Sequence, residues 1–214
     1  MSAGTWAVVV ARADATAKSR LAAVLRPDER AALARAMLAD VLAACLGAGL
    51  AGTAAVVSAA SRPPPAPAGV LVVSDPGGGM NAAVGAGVRA AAEAGAGAVL
   101  VLPGDVPLAR AADLRAVVAS AEGLPRVVVV VPDRAGTGTN ALLLRPPDVV
   151  ASAFGDGSAG RHLAAGAAVG AVVRRLPVPT LAADVDTPAD LAALRARDQG
   201  GATRAALARL GAPF

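Results

Sequence analysis

Aromatic residues are almost missing from this chain, whose 214 residues include one Trp, two Phe and no Tyr. Apolar residues nevertheless make up 55% of the sequence, and Ala, Val and Leu supply most of them. A chain of this length can bury a sizeable core, so the core must consist of many small aliphatic contacts. The same shortage removes the aromatic platform on which single-stranded nucleic acids stack.

Cysteines, basic runs and membrane-length apolar segments are also scarce. Cys45 is the single cysteine, which excludes an internal disulfide and a cysteine metal cluster. The net charge is +4, but the arginines are scattered, and only Arg174 and Arg175 are adjacent. No stretch reaches about 18 apolar residues without a charge or turn signal, and no signal-peptide pattern follows Met1. We therefore expect a cytoplasmic protein that binds neither nucleic acid nor a membrane.

Several familiar catalytic signatures are absent as well. No G-x-x-x-x-G-K-[ST] segment occurs, and the first strand-to-helix turn lacks G-x-G-x-x-G, which argues against a dinucleotide oxidoreductase. His162 is the only histidine, and no Ser-His-Asp or Cys-His arrangement stands out. We expect His162 on a helix surface and Cys45 in the core.

Apolar strands and helical patterns alternate along the chain. The predicted strands cover 6–11, 54–58, 69–74, 98–102, 127–131, 141–144 and 169–173. Helices are predicted from Pro27 through the four-residue repeat of Leu33, Met37, Val41 and Cys45, and over about 81–94, 111–120, 191–197 and 202–210. Continuously apolar strands indicate burial on both faces of a sheet. We predict one α/β domain over 1–214 with a doubly wound, mostly parallel sheet, a Rossmann-like three-layer sandwich. Ligands of such folds bind beyond the carboxyl ends of the strands, so the loops there are candidate sites.

The single lysine lies in the first of these loops. Lys18 and Arg20 flank Ser19, in a chain that otherwise uses arginine for its positive charge. A lysine supplies a point charge and an arginine a planar fork, and both groups suit phosphates. We expect Lys18 and Arg20 to bind the phosphates of a nucleotide.

Three carboxylates form a second candidate group. Asp105 directly follows the strand 98–102, and Asp184 and Asp186 are two residues apart, which aims both to one side of an extended segment. Such oxygens suit Mg²⁺, which takes one or two carboxylates plus phosphate oxygens. Each acid also has a plain structural interpretation. Asp105 could be an ordinary turn residue, and Asp186 could simply stabilise the positive N-terminus of the helix that follows it. Three acids without basic neighbours would repel one another unless a cation joined them.

Glycine-rich segments complete the candidate loops. The run 77–79, centred on Gly78, allows close approach of the backbone to a nucleotide, and Asn81 could read a base edge; a flexible surface turn is the plain alternative. The segment 133–140, DRAGTGTN, offers two hydroxyls and backbone N–H groups. The segment FGDGS is typical of an anion site at a helix N-terminus with Ser158 as its cap, although a plain N-cap has the same pattern.

Six segments together resemble a known family. AKSRL, GGGMNAAV, LPGDVPL, DRAGTGTNALLL, FGDGSAGRH and DVDTPADL occur in this order. From about Trp6 to Leu194 the chain is similar to the guanylyltransferases of coenzyme F-420 biosynthesis, which act on 2-phospho-L-lactate or phosphoenolpyruvate. The specific part of the resemblance is the pair DRxGTGTN and DVDTPxDL. The resemblance implies the fold of nucleotide-diphospho-sugar transferases, which molybdopterin nucleotidyltransferases share.

The resemblance also implies a reaction and its residues. GTP and Mg²⁺ bind, the phosphate of a three-carbon phospho-acid attacks the α-phosphorus, and pyrophosphate leaves. The acceptor is 2-phospho-L-lactate, phosphoenolpyruvate or 3-phosphoglycerate. The phospho-acid is assigned to Thr139, Gly155 and Ser158, and the metal to the three acids named above. The implied catalytic groups are Lys18, Arg20 and Asp105.

One residue departs from the family pattern. The family usually has Pro-Val-Lys early in the first loop, where this chain has Val10, Ala11 and Arg12. Arg12 keeps the charge but not the compact ammonium. We predict that Arg12 contributes to nucleotide binding.

Two other functions fit parts of the pattern. A molybdopterin cytidylyltransferase-like enzyme typically has glycines in the first loop, and ARADATA has none. A non-catalytic nucleotide-binding module would not require three acids. The acceptors differ by a hydrogen pair or a hydroxyl, which pocket shape decides. For assembly we expect a homodimer, which no motif specifies.

Overall fold

The computed structural model describes residues 4–11, 16–57, 67–197 and 201–210. Its strands are β1 Thr5–Ala11, β2 Gly52–Val57, β3 Val70–Ser74, β4 Ala98–Pro103, β5 Val127–Pro132, β6 Thr139–Arg145 and β7 Val172–Arg175. Its helices are α1 Pro27–Gly47, α2 Met80–Glu93, α3 Ala111–Ala119, α4 Ser158–Ala168, α5 Pro188–Arg195 and α6 Gly201–Arg209. The predicted alternation is therefore confirmed. None of the helices in these ranges has both the length and the apolar character to cross a membrane.

The strands form one sheet in the order β3-β2-β1-β4-β6-β5-β7. All strands except β6 run in one direction, which confirms the mostly parallel sheet. From β1 the chain first adds β2 and β3 on one side and then crosses to β4 on the other. A crevice opens at the carboxyl ends of the strands where the order reverses. The loops after β1 and β4 therefore face each other across that crevice.

Successive residues of the central strands face different helical layers. Ala7 and Val9 of β1 pack in one core with α1 and α3, and Val8 and Val10 pack in the other with α2 and α4. Because side chains alternate along a strand, a sheet covered on both faces requires strands that are apolar throughout. The three-layer sandwich is confirmed, as is the core position of Cys45, which is fully buried. A further apolar cluster joins the outer side of α1 to α5 and α6.

Burial on both faces is a wrong prediction for the two edge strands. All four residues of β7 are exposed, and Leu71 and Val72 of β3 are 43% and 44% exposed. The helices cover the middle of the sheet, so an edge strand loses both a neighbouring strand and part of its helical cover. Strand β7 also begins later than predicted, because Val169 still closes α4 through its bond to the Ala165 carbonyl.

Helix α2 lies close to the sheet at Gly87. A Cβ atom built at Gly87 would overlap the side chains of Val8 in β1 and Val56 in β2. A Cβ atom at Gly85 of the same helix would meet only the tip of Arg89, at 3.6 Å. The missing side chain at Gly87 therefore sets the distance between α2 and the sheet, and with it the position of the α2 N-terminus.

We predict that Gly87→Ala lowers the free energy of unfolding by about 1–3 kcal/mol, the usual effect of overpacking. The matched control, Gly85→Ala, should leave it unchanged or raise it by up to about 1 kcal/mol, because alanine is the better helix former. Urea denaturation of both variants measures the two values. Equal stabilities would contradict the close packing at Gly87.

Candidate active site

A cavity of about 360 Å³ lies beyond the carboxyl ends of β1 and β4. Its wall combines the loop after β1, part of α1, the residue after β3, the start of α2, the loop after β4 and Asp186 of the D-x-D segment, whereas Asp184 lies outside the wall. The polar and glycine positions in this wall are Thr16, Lys18, Ser19, Arg20, Asp75, Gly79, Gly104, Asp105 and Asp186. The cavity therefore occupies the crevice that the reversal of strand order creates.

The ammonium group of Lys18 joins carboxylates from two distant parts of the chain. Its Nζ donates to Asp105 Oδ2 at 2.5 Å and to Asp186 Oδ1 at 2.7 Å. The Lys18 side chain is only 8% exposed. Burial by itself would lower the pKa of Lys18, but the charges and hydrogen bonds of the two carboxylates outweigh burial and raise the pKa above its ordinary value. The ammonium therefore stays charged.

The backbone of Lys18 adopts a left-handed conformation, with φ 52° and ψ 44°. It is the one residue other than glycine with positive φ in the part of the chain that the structure describes. This conformation costs an L-residue about 1–2 kcal/mol. The chain then turns at once into a 3-10 turn over Ser19–Leu21, and Leu21 is buried in the cluster with α5 and α6. The buried Leu21 and the ion pairs together hold the Lys18 side chain at the cavity.

Arg20 pairs with Asp186 in a more open setting. Its Nη1 lies 3.6 Å from Asp186 Oδ2, and its side chain is 73% exposed. Exposed pairs of this kind contribute about 0–1 kcal/mol, so little energy is lost when the guanidinium turns to another anion. Arg12, the other predicted phosphate ligand of this loop, lies outside the described residues.

The D-x-D segment is anchored next to Asp105. The backbone N–H of Val185 donates to the carbonyl of Asp105 at 3.2 Å, which places Asp184 and Asp186 beside the loop after β4. The side chain of Asn140, in β6, donates to Asp184 Oδ1 at 3.1 Å. Three predicted site acids thus come together although they lie on two separate loops.

Asp184 experiences the charge of the other two acids. Burial raises the pKa of Asp184, the hydrogen bond from Asn140 lowers it in part, and the charges of Asp105 and Asp186 raise it further, so the net shift is upward. Within the described ranges, no three His, Cys, Asp or Glu side chains are arranged to hold a metal ion by themselves. Instead, Lys18 lies between two of the predicted ligands. The metal-binding role of the three acids stays a prediction.

Two supporting residues had no predicted role. Asn140 ends the GTGTN segment and also donates to the Leu181 carbonyl, at 3.0 Å. Asp190 forms a capping box with Thr187 at the start of α5, and it accepts a bond from the Asp186 amide at 3.2 Å. The cap of α5 is thereby joined to the backbone of the D-x-D segment.

The glycine run 77–79 forms a turn with a defined backbone conformation. Its three residues have φ of 81°, 83° and 89°, a region that residues with a side chain rarely adopt. Asp75 Oδ1 accepts the N–H of Gly77 at 2.8 Å and so closes the turn. Gly79 reaches the cavity wall, whereas Gly78 lies one residue outside it.

Asn81 links two loops. Its Nδ2 donates to the Phe154 carbonyl at 3.2 Å, and its Oδ1 accepts the Phe154 N–H at 2.7 Å. Both groups of the amide are thus used, and the predicted contact with a base would require these bonds to open. The pair joins the start of α2, next to the cavity residue Met80, to the segment that leads into α4.

The residues assigned to the phospho-acid lie at the start of α4. Ser158 Oγ donates to Thr139 Oγ1 at 3.0 Å, and both side chains are buried. Gly155 lies three residues before Ser158 with φ 119°. Ser158 is not the N-cap, which was a wrong prediction: Gly157 holds that position in a left-handed conformation, and the Ser158 hydroxyl bonds to Thr139 instead.

His162 is fully buried, so its predicted surface position was wrong. Its Nδ1 lies 3.1 Å from Thr139 Oγ1, and its Nε2 accepts the backbone N–H of Ala153 at 2.8 Å. The ring of Phe154 packs edge-on against it, with 5.1 Å between centroids. Burial, helped by the charge of Arg161, lowers the pKa of His162 to about 4. The imidazole is therefore neutral at neutral pH.

The sheet order and its helical layers have the fold of the nucleotide-diphospho-sugar transferases. A Desulfovibrio desulfuricans G20 protein described as such a transferase superposes with a TM-score of 0.73, covering 96% of this chain and 94% of that one at 17% identity. A Mycobacterium tuberculosis H37Rv protein solved in complex with manganese gives a TM-score of 0.56, covering 91% of this chain and 98% of that one at 21% identity. These likenesses establish the fold.

Sequence similarity gives the family. The family described as "Guanylyl transferase CofC like" matches residues 5–213. The phosphoenolpyruvate guanylyltransferase of Rubrobacter xylanophilus is 44% identical, over 89% of this chain and 93% of that protein. The chain therefore belongs to the CofC-like guanylyl transferases, and the resemblance of its motifs to that family is confirmed.

We predict that His162 makes the fold less stable as the pH falls from about 6.5 to 4. An unfolded histidine binds its proton near pH 6.5, whereas the folded pKa is about 4. In that window the unfolded state binds more protons, so the free energy of unfolding decreases as the pH falls. The expected loss between pH 7 and pH 5 is about 2 kcal/mol.

Urea denaturation at several pH values, on the wild type and His162→Asn, measures this effect. Carboxylates titrate in both proteins, so the contribution of the histidine is the difference between the two slopes of the free energy of unfolding against pH. If that slope is no steeper in the wild type than in the variant, the buried neutral imidazole is contradicted.

Proposed function

We propose that this chain transfers GMP from GTP to phosphoenolpyruvate and releases pyrophosphate, the guanylyl transfer step of coenzyme F-420 biosynthesis. The main observation behind this proposal is that Lys18 bonds Asp105 and Asp186 at one cavity, although these acids are 87 and 168 residues away in sequence. The family and the name of the Rubrobacter relative support the nucleotide and the acceptor. Since the family match spans 5–213, we infer that the chain acts as one nucleotidyltransferase unit.

The reaction brings two anions together. A phosphate oxygen of the acceptor forms a bond to the α-phosphorus of GTP, and the bond from that phosphorus to the β-phosphate oxygen breaks. Pyrophosphate leaves with the electron pair. Two like unit charges 4 Å apart repel by about 4 kcal/mol at an effective dielectric constant of 20. Transfers of this kind therefore depend on positioning and charge neutralisation rather than on a protein nucleophile.

Asp105, Asp184 and Asp186 would hold a divalent cation, which we propose is Mg²⁺. The donor set fits, because these are hard oxygen ligands and because two of the carboxylates already bond one cationic nitrogen within 2.7 Å. The upward pKa shift of Asp184 reflects in part the negative charge that the three acids share. When bound, such a cation neutralises charge on phosphate oxygens. The manganese complex of a protein with the same fold supports a divalent ion.

The nucleotide phosphates would contact the basic groups of the first loop. Lys18 supplies a buried point charge and Arg20 an exposed fork, and both lie at the wall of the cavity. Arg12 would add a third charge from the same loop. Gly79, the last residue of the glycine turn 77–79, brings backbone without a side chain to the cavity wall, so that a nucleotide can approach it closely.

The phospho-acid would bind at the start of α4. Thr139 and Ser158 present paired hydroxyls there, and Gly155 adds a backbone position without a side chain. The bonds between Asn81 and Phe154 hold this region against the α2 end of the cavity.

A competition assay tests the proposed function. Tag-free protein is incubated with GTP, Mg²⁺ and equal concentrations of phosphoenolpyruvate, 2-phospho-L-lactate and 3-phosphoglycerate, and the products are identified by mass spectrometry with pyrophosphate release as the rate. We expect guanylylated phosphoenolpyruvate as the main product. Turnover with CTP but not with GTP, or no pyrophosphate with any of the three acids, would contradict the proposal.

Lys18→Ala should lower kcat/KM on the order of 100-fold or more, because a preorganised charge at the phosphates is lost. Arg115→Ala is the matched control, since Arg115 is exposed and donates to the Gly47 carbonyl away from the cavity; we expect wild-type turnover there. Pyrophosphate release measures both, and thermal unfolding verifies that each variant is folded. Near wild-type activity of a folded Lys18→Ala protein would refute the role of Lys18.

A further inference from the structure

We propose that His162 is a positioning residue for the phospho-acid, because it fixes which hydroxyl protons Thr139 and Ser158 can offer to an anion. The identity of that anion rests on the proposed function, but the positioning does not. His162 contacts Thr139 directly, Ser158 through Thr139, and the segment before Gly155 through Ala153. It thus connects the hydroxyl pair of Thr139 and Ser158 to the segment that leads to Gly155.

A backbone amide decides the tautomer of the ring. The N–H of Ala153 can only donate, so Nε2 of His162 must carry a lone pair and no proton. In a neutral imidazole the single proton is then on Nδ1, and Nδ1 donates to Thr139 Oγ1 at 3.1 Å. The pKa of about 4 keeps the ring neutral at the pH of an enzyme assay.

With this tautomer, one hydroxyl proton of Thr139 or Ser158 is not used in the hydrogen bonds among His162, Thr139 and Ser158. His162 Nδ1, Thr139 Oγ1 and Ser158 Oγ carry three protons, but only two hydrogen bonds connect the three groups. Whichever hydroxyl donates to the other, one hydroxyl proton remains for a ligand. In the other tautomer, Thr139 would donate to Nδ1 and Ser158 to Thr139, and no proton would remain.

Two of the backbone amides at the start of α4, those of Ser158 and Ala159, do not supply that donor. The N–H of Ser158 bonds to the Gly155 carbonyl at 3.0 Å, and the N–H of Ala159 bonds to the Thr137 carbonyl at 3.0 Å. These two amides of the helix terminus are therefore already satisfied. The spare hydroxyl proton suits a phosphate or carboxylate oxygen, the two anionic groups of a phospho-acid, since a hydrogen bond to an anion is stronger than one between neutral groups.

The backbone that selects the tautomer is itself fixed. Arg161 donates to the carbonyl of Ala153 from Nε at 3.2 Å and from Nη2 at 2.9 Å, and its Nη1 donates to the carbonyl of Asp156. Ala153 is thus held through its N–H by His162 and through its carbonyl by Arg161. The segment that leads to Gly155 and the hydroxyl pair are therefore both bonded to the same buried side chain, His162.

Two amide variants separate the functions of the two ring nitrogens. His162→Gln extends far enough to keep an acceptor for the Ala153 N–H but removes the donor to Thr139, whereas His162→Asn keeps a donor near Nδ1. We expect His162→Gln to raise the KM for phosphoenolpyruvate about tenfold or more and to leave the KM for GTP within about twofold. His162→Asn should recover part of the loss.

Thr139→Val removes the hydroxyl and keeps the shape of the side chain. If His162 acts through Thr139, the double variant Thr139→Val with His162→Gln should raise the KM for phosphoenolpyruvate no further than Thr139→Val alone. An unchanged KM for phosphoenolpyruvate in His162→Gln, or an equal rise of both KM values, would overturn the inference.

Nuclear magnetic resonance tests the tautomer without any turnover or variant. His162 is the only histidine of the chain, so the imidazole signals of tag-free, ¹⁵N-histidine-labelled protein belong to it alone. We expect a protonated Nδ1 and an unprotonated Nε2 at pH 7, and a saturable shift of these signals on titration with phosphoenolpyruvate. A protonated Nε2, or no shift with any of phosphoenolpyruvate, 2-phospho-L-lactate and 3-phosphoglycerate, would overturn the inference.

The two proposals fail in different ways. The expected tautomer and shift without pyrophosphate release would support the positioning role and contradict the proposed function. Pyrophosphate release with a protonated Nε2 would support the proposed function and overturn the positioning role.

Discussion

The contact on which the site depends is the buried ammonium of Lys18 between Asp105 and Asp186. An ammonium group on a side chain that is only 8% exposed stays charged only with such partners. The two partners lie 87 and 168 residues further along the chain. The sheet makes the meeting possible, because the reversal of strand order places the loop after β1 opposite the loop after β4. The left-handed backbone at Lys18 is the local cost of directing this side chain into the crevice.

A second polar group lies at the start of α4 and differs in character. Thr139, Ser158 and His162 are buried and neutral, and their hydrogen bonds leave a single donor for a ligand. The Lys18 crevice therefore supplies charge, which suits the phosphates of a nucleotide. The group at the start of α4 supplies a hydrogen-bond donor, which can orient a small anion. The Asn81–Phe154 bonds connect the two. A reaction between two anions needs both properties, since neutralised but misaligned phosphates do not react.

Much of the fold followed from local patterns, and parts of the site did not. Runs such as Val127–Val131 and the four-residue repeat from Leu33 to Cys45 identify strands and helices because burial sets their period. Lys18 stood out because lysine is otherwise unused, and the D-x-D spacing identified two acids. The burial of His162, the contact of Ser158 with Thr139 and the engagement of Asn81 by Phe154 depend on partners up to 73 residues apart, which no local pattern encodes. Exposure of the edge strands likewise depends on strand order, and not on composition.

The most direct measurement is a crystal structure of the protein with Mg²⁺ and a GTP analogue whose α,β-bridge is a methylene group and does not react. The account predicts a cation held by Asp105, Asp184 and Asp186, with Lys18 Nζ on a phosphate oxygen and the α-phosphorus facing Thr139 and Ser158. A nucleotide bound in another part of the molecule, or a cation that none of the three acids contacts, would contradict it.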